Sequence, residues 1–478
     1  MTETNSVSIE IEEKIPGKSK FAFGGATLAS GILSGLGLGP ITYYYNNILL
    51  LDEYWTGLAW IIFIIWNAVN DPLFGFIEDR TKSKKYGRRI PYLRFGSPIY
   101  TILFMLCWFP LVNVNDEIAL FLNYLIILYA FDTIYTMIGL ITYSLPAEMA
   151  ISSKARASIM VFGSIFSALG TLITFLLPTL LLTPVPPPPI NIFLTSMVII
   201  GIICGLILFV SSYFIKERKY TQLEEPLGYW KGLTETFKNK PFLIFEAGNF
   251  CTTLAQYTLT TAVFYYISSV LELGGIMGMI PLAIFFLFVF AFTIVYNKIL
   301  RKYELKKVYM IILFLIGSSF ILFFGIGWLF ETAIIGMILL GIGFSGYYMT
   351  GQMLIADVID HDEVLTNKRR ETSYSGVNAL LTKPAVSLAP WLFLLIIDAF
   401  GYDNELAKLG LSQSPDAKLG IMIGFCIVPA IFIFLAAIAI KFFPLHGPEW
   451  KKQKAELHKI HQEKEKAYLE SLRKEGKI

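Results

Sequence analysis

The stretch Trp66-Asn67-Ala68-Val69-Asn70-Asp71-Pro72 puts two amides and a carboxylate into a segment otherwise as apolar as Leu58 to Ile65. On a helix, residues three and four apart share a face, so the side-chain oxygens of Asn67, Asn70 and Asp71 converge. Converging hard oxygens are what a dehydrated alkali cation needs, and a desolvated carboxylate can instead carry a proton. An ionisable group inside a membrane helix costs several kcal/mol and by default marks a solute or ion pathway. The plainer alternative is an interhelical hydrogen bond that only locks this helix to a neighbour.

The elements that must hold these groups are membrane helices. The chain has 478 residues, 55% of them hydrophobic and 16% charged, with a mean hydropathy of +0.61, too apolar for an ordinary soluble protein. A bilayer core is crossed by roughly 20 apolar residues of helix. Twelve such stretches begin near Phe21, Tyr54, Leu93, Ile118, Ala155, Pro189, Pro241, Gly274, Val308, Glu331, Thr372 and Leu419. Apart from Lys383, Lys408 and Lys418, every Lys and Arg falls in the termini or in the connections after the even-numbered spans up to the tenth. The positive-inside rule therefore places both termini in the cytoplasm. The net charge of +3 describes topology and gives no reason to expect nucleic acid. No signal-peptide pattern opens the chain, and none is expected to be removed. Cys107, Cys204, Cys251 and Cys426 lie unpaired in apolar spans and read as small buried hydrophobes. All four His, at 361, 446, 458 and 461, fall at or beyond the cytoplasmic surface, which argues against a His-ligated metal within the membrane.

Corresponding spans of the two halves end alike. The second and eighth end in Asp79 to Arg89 and in Asn297 to Lys307; the fourth and tenth leave with Glu148 and with Asp357 and Asp360, each followed by basic residues. Such echoes mark a six-plus-six duplication with a midplane site between two rocking bundles. The expected organisation is a cytoplasmic N-terminus (1–20), a first six-helix bundle (21–215), a central cytoplasmic loop (216–240), a second bundle (241–443) and a cytoplasmic tail (444–478). Pro226, Leu227, Tyr229, Trp230, Leu233 and Phe237 make the central loop a partly amphipathic tether. The Lys- and Glu-rich tail from Glu449 reads as a solvated helix or a disordered end. Gly31, Gly35 and Gly39 give the first span a face for close helix approach. Gly341-Ile342-Gly343-Phe344-Ser345-Gly346 matches a dinucleotide fingerprint only as letters, since no strand precedes it.

Trp-Asn-Ala-Val-Asn-Asp-Pro, followed by Gly75, Asp79-Arg80-Thr81 and Gly87-Arg88-Arg89, resembles the helix-two signature of the glycoside-pentoside-hexuronide:cation symporters of the melibiose-permease type, within the major facilitator superfamily. The likeness extends to Tyr43-Tyr44-Tyr45, Tyr135-Thr136, Ser144-Leu145-Pro146 and Ala356-Asp357 through Lys383. It implies an all-α membrane protein with twelve transmembrane helices in two six-helix bundles, the major facilitator fold. It also implies a cation site at Asp71, Asn67, Asn70 and Thr136, with Lys383 a coupling residue. Asp79 with Arg88 and Arg89 would form the cytoplasmic gate, and the basic run also suits anionic headgroups. The departures are specific: Asn67 stands where the type member has a first carboxylate, and its sugar-binding carboxylates and arginine fall on Gly31, Gly139 and Ser164. Asp132, one turn from Thr136, is the acid that can contact substrate or supplement the cation site; a plain buried contact is the alternative. A lone intramembrane Lys383 needs a carboxylate partner or must lose its proton, and Asp71 is the natural partner. Glu246 can snorkel to the inner surface. Tyr43, Trp66 and Tyr143 are placed to offer aromatic faces to a sugar.

The expected activity is cation-coupled symport, with Na+ or H+, of a sugar, glycoside or related small organic solute by alternating access. A lysolipid:cation symporter is the nearest alternative, and a transporter-like sensor or scaffold without transport is another. The spans hold no nucleophile with a base and no metal motif, so no enzyme is expected, no cofactor beyond the coupling ion, and no metal other than a sodium ion at Asp71. The expected partners are a small-molecule substrate and the lipid bilayer, and the expected location is a plasma membrane.

Overall fold

The computed structural model describes residues 15–81, 83, 87–150, 153–182, 190–217, 234–366 and 371–474. Most of the proposed central tether, with Pro226, Leu227, Tyr229, Trp230 and Leu233, lies outside them. The first half comprises α1 (Gly17–Leu38, prolonged by Ile41–Tyr43 and a π turn, Tyr44–Ile48), α2 (Glu53–Arg80), α3 (Ile90–Trp108), α4 (Glu117–Met149), α5 (Ser153–Leu181) and α6 (Ile190–Phe214). The second comprises α7 (Lys240–Tyr265, prolonged by the π turn Tyr266–Val270), α8 (Gly275–Leu300), α9 (Leu305–Ile326), α10 (Phe330–Thr366), α11 (Glu371–Ala399) and α12 (Pro415–Met422, the π turn Ile423–Ile427 and Val428–Lys441). A polar helix, α13 (Gly447–Lys474), follows.

Among the described residues eleven helices are long and apolar enough to cross a bilayer. The remaining long helix of the twelve, α7, is interrupted by Glu246, Asn249, Thr253, Gln256 and Thr260, whose alternating spacing of three and four aligns them on one face. It packs on α11 and α12, and Gln256 and Thr260 line a cavity shared with α5 and α8, so an all-apolar surface is not needed.

The packing repeats between halves. In the first, α1 lies on α5 and α6, and α4 lies on α2 and α3, with α3 also on α6. In the second, α7 lies on α11 and α12, and α10 lies on α8 and α9, with α9 also on α12. The pairs α2–α11 and α5–α8 join the halves. The repeat reaches into backbone detail. After α1 the amides of Leu49 and Leu51 bond the carbonyls of Tyr44 and Tyr45; after α7 those of Leu271 and Leu273 bond Tyr266 and Ile267. Within these turns Leu50 (φ 61°) and Glu272 (φ 53°) occupy the left-handed region, a costly conformation for a side-chain-bearing residue.

The start of α1, where Ser19 donates to the Phe214 carbonyl at the end of α6, and the start of α13, where Trp450 donates to Asp357 of α10, lie at one end of the bundle, here the terminal end. At the far end the halves meet: Tyr43 and Tyr265 are 5.0 Å apart edge to face, Phe175 and Phe286 5.2 Å apart, and Tyr402 donates to Asn47 Oδ1 at 2.8 Å. Towards the terminal end they part. Gly75 of α2 and Gly376 of α11 adjoin open space, and Val161 and Ile165 of α5 and Ile294 of α8 are exposed.

Candidate cation and substrate site

Three helices bring the expected polar groups together at the middle of the bundle. Asp52 starts α2 by accepting the Tyr54 amide at 2.8 Å, and Asp116 starts α4 by accepting that of Ala119 at 3.1 Å, N-caps that fix where each helix begins. Along α2 the apolar run delivers Asn67, Asn70 and Asp71; α4 delivers Asp132 and Thr136; α11 delivers Lys383.

The Lys383 ammonium sits 2.5 Å from Asp71 Oδ1 and donates to Asn70 Oδ1 at 2.7 Å and to Thr136 Oγ1 at 3.0 Å. Asn70 in turn donates to Thr136 Oγ1 at 3.0 Å and to Asp132 Oδ2. Asn70, Asp132 and Thr136 are buried, whereas the side chains of Asp71 and Lys383 keep 16% and 15% of their surface, so this pair is the accessible part of the cluster. Two carboxylates against one ammonium carry one unit of net negative charge when all three are ionised. One monovalent cation or one proton would balance it.

Asn67 stands apart from that cluster. Its amide donates to the Lys383 carbonyl at 3.2 Å and to Ser387 Oγ at 2.9 Å, so it ties α2 to α11. Ser387, one turn beyond Lys383, is a member that sequence reasoning missed; its spacing of four from Lys383 was the available signal. Asp132 is the additional acid, joined to the cluster through Asn70.

The aromatic candidates are dispersed. Tyr43 is buried in the far-end closure against Tyr265. Trp66 donates its indole N–H to Thr133 Oγ1 at 3.1 Å and stacks on Tyr129. Tyr143, two turns past Thr136 on α4, is exposed. Gly31 adjoins open space, and a Cβ on Gly139 would touch only Tyr135, at 3.8 Å. Thus the positions that bear sugar carboxylates in the resembling family lie beside little or no side-chain packing here.

At the terminal end, Arg89 pairs with Glu78 at 2.8 Å and with Glu148 at 2.5 Å, and Arg88 pairs with Glu148 at 2.7 Å. The Asp79 side chain lies outside the described residues, and Glu78, one position earlier, takes an arginine. Glu217, just beyond α6, accepts the amides of Arg88, Arg89 and Ile90 at 2.6 to 2.8 Å, satisfying donors at the start of α3 that no helical carbonyl reaches. These contacts all lie within the first half, so they brace it and do not bridge to the second. Glu246 does not snorkel: it is 3% exposed, beside Asn249 and Asn378.

A family model described as MFS/sugar transport protein matches residues 23–447. The chain belongs to this family. As a member of the MFS/sugar transport protein family it is an integral membrane secondary transporter and not an enzyme. It is 26% identical to the uncharacterized symporter YnaJ of Bacillus subtilis, over 90% of this chain and 92% of the relative. It is also 22% identical to the sodium-dependent lysophosphatidylcholine symporter 1 of Xenopus tropicalis, over 98% and 94%. The crystal structure of a point mutant of the nucleoside transporter NupG superposes with a TM-score of 0.62 at 18% identity, covering 88% of this chain and 99% of that one, which establishes the major facilitator fold.

Proposed function

We propose that this transporter couples the entry of Na+ or H+ to symport of a sugar, glycoside or related small organic solute. The observation that carries the reading is the seat of Lys383. Its ammonium occupies the oxygens of Asp71, Asn70 and Thr136, three of the four residues expected to receive a mobile cation, the fourth, Asn67, being turned to Ser387. A bound cation and Lys383 compete for those oxygens, so occupancy on α2 and α4 is transmitted to α11 in the other half. The distribution of basic residues supports a cytoplasmic terminal end, and with that orientation the arrangement is open to the inside and closed to the outside.

The test is a thermal-stability screen of the purified protein against sugars, glycosides and lysolipids, with and without sodium and across pH, in wild type and Asp71→Asn. A ligand that stabilises more strongly with sodium or at low pH, and loses that synergy in Asp71→Asn, is the expected result. A cation effect untouched by the substitution removes Asp71 from coupling.

One observation favours a lysolipid as substrate. A cavity of about 310 Å³ at the α5–α8 seam is lined by Phe175, Leu259, Val263, Phe286, Phe290 and Met337, among others, a lining suited to an acyl chain. Stabilisation by a lysolipid and by none of the sugars in the same screen would select this reading.

A further inference from the structure

Glu246 lies near the start of α7 and is 3% exposed. Asn249 Nδ2 donates to Asn378 Oδ1 of α11 at 2.7 Å, and that same oxygen lies 2.9 and 3.2 Å from the two Glu246 carboxyl oxygens. The acceptors of two side chains thus meet around one amide donor. No Lys, Arg or His pairs with Glu246 among the described residues. Along α11, Tyr374 accepts from Asn239 at 2.6 Å, and the Lys383 ammonium is committed to Asp71, Asn70 and Thr136. Where α12 packs against Gly248 it offers Ile440 and the Ala436 carbonyl; Lys441 beyond them and Lys240 at the start of α7 are exposed. On α10, Asp357 is held by Trp450 and Lys454 of α13.

Two arrangements remove the clash. If Asn378 alone turned end for end, its Nδ2 would serve the carboxylate but would stand 2.7 Å from Asn249 Nδ2, donor against donor. Asn249 would have to turn as well, leaving an ionised carboxylate buried against neutral amides. The other arrangement turns neither amide: a proton on Glu246 points at Asn378 Oδ1, which has a second lone pair free beside the Asn249 bond. Burying a charge without a counter-ion makes the first arrangement the costlier. We propose that the α7–α11 seam is a proton-binding site, at which the neutral Glu246 carboxyl donates to Asn378 Oδ1 and release of the proton turns both amides end for end. The site is separate from Asp71 and stands whichever ion binds there. Because α11 carries both Asn378 and Lys383, a proton at the seam and a cation at Asp71 act on the same helix.

The test is infrared spectroscopy of the full chain in an ester-free detergent, above the amide I region, where the C=O of a neutral carboxyl absorbs. At neutral pH, the unsubstituted spectrum minus that of Glu246→Gln should leave a carboxyl band that moves down in D2O and gives way to carboxylate stretches as the pH is raised. The introduced amide donates to Asn378 as the neutral acid does, so Glu246→Gln should unfold no earlier on heating. Asn378→Leu removes the acceptor and should shift the band upward. Asp71→Asn should keep the band, which separates this site from the coupling reading. A difference spectrum with only carboxylate stretches at neutral pH, a band that ignores pH or Asn378→Leu, or its loss in Asp71→Asn would each overturn the proposal.

Discussion

Lys383 illustrates how far single residues can be read. An ammonium in an apolar span demands a carboxylate, and Asp71 was the available one; the contact at 2.5 Å follows from that demand. Finer assignments depend on helix rotation, which composition does not reveal. Glu78 and Asp79 are neighbours about 100° apart around α2, and only the folded helix shows that Glu78 takes Arg89. Asn67 looked equivalent to Asn70, yet it points its amide at Ser387 and not into the oxygen cluster. Asp132 yields a direct prediction. Removing one of two carboxylates takes the site from one unit of negative charge to neutrality beside Lys383. Asp132→Asn should weaken sodium binding, or the acid dependence of ligand binding, by at least about tenfold, the size of a modest change in local electrostatics. Sodium titration of ligand-bound thermal stability measures it, and an unchanged titration would detach Asp132 from the cation site.

At the scale of elements, hydropathy made eleven of the helices obvious, and the polar face of α7 made it the least regular. The dismissed glycine string proves to be a packing device: a Cβ on Gly341 would meet the Phe285 carbonyl oxygen at 2.6 Å, so α10 lies directly on the backbone of α8. Gly341→Val should therefore cost roughly 1–3 kcal/mol, seen as a lower unfolding temperature of the detergent-solubilised protein. The tail shows what polarity conceals. Its start is docked, with Trp450 donating to Asp357 Oδ2 at 3.1 Å, Lys454 pairing with the same carboxylate and Leu457 buried. Asp357 thus receives from α13 what Glu148 receives from Arg88 and Arg89. A single tryptophan in a Lys- and Glu-rich run gave the sequence no periodic seam from which to foresee this. Trp450→Ala should free α13, raising tryptic cleavage and amide exchange beyond Gly447 without lowering Lys383-dependent ligand binding. Equal protection in both proteins would mean that the tryptophan is not the anchor.

For the whole molecule, the duplication was visible in the way the helices end. Its depth was written there too, in a short echo easily passed over: Tyr43-Tyr44 with Leu49 and Leu51 recurs as Tyr265-Tyr266 with Leu271 and Leu273 around the paired π turns that hold left-handed Leu50 and Glu272. They put Tyr43 and Tyr265, related positions of the two halves, edge to face against one another, with Asn46 and Asn47 bonded across the same closure. Each neutral hydrogen bond in that closure is worth about 0.5–1.5 kcal/mol. Tyr265→Phe and Tyr402→Phe should each raise the open population at the far end by roughly two- to tenfold, read from the distance between spin labels at Leu111→Cys and Leu411→Cys, exposed positions on opposite halves; no change in either would place the closing force in the aromatic packing. The Glu272 carboxyl, held below its ordinary value of 4.5 by the hydrogen bond from Lys418, supports the second half above that pH and releases it as the solution is acidified. This effect is small at so exposed a site.

The polar face of α7 also bears on how the protein is made. A helix interrupted by Glu246, Asn249 and Gln256 is a poor candidate for partitioning into lipid on its own as it leaves the ribosome. The two helices it packs on most extensively, α11 and α12, are the last membrane spans to be synthesised. Through most of translation α7 must wait, shielded by the insertion machinery or a chaperone, until the end of the chain arrives to enclose it. Chains truncated after α10 should accordingly fail to integrate α7 stably, whereas the six helices of the first half integrate without waiting for it.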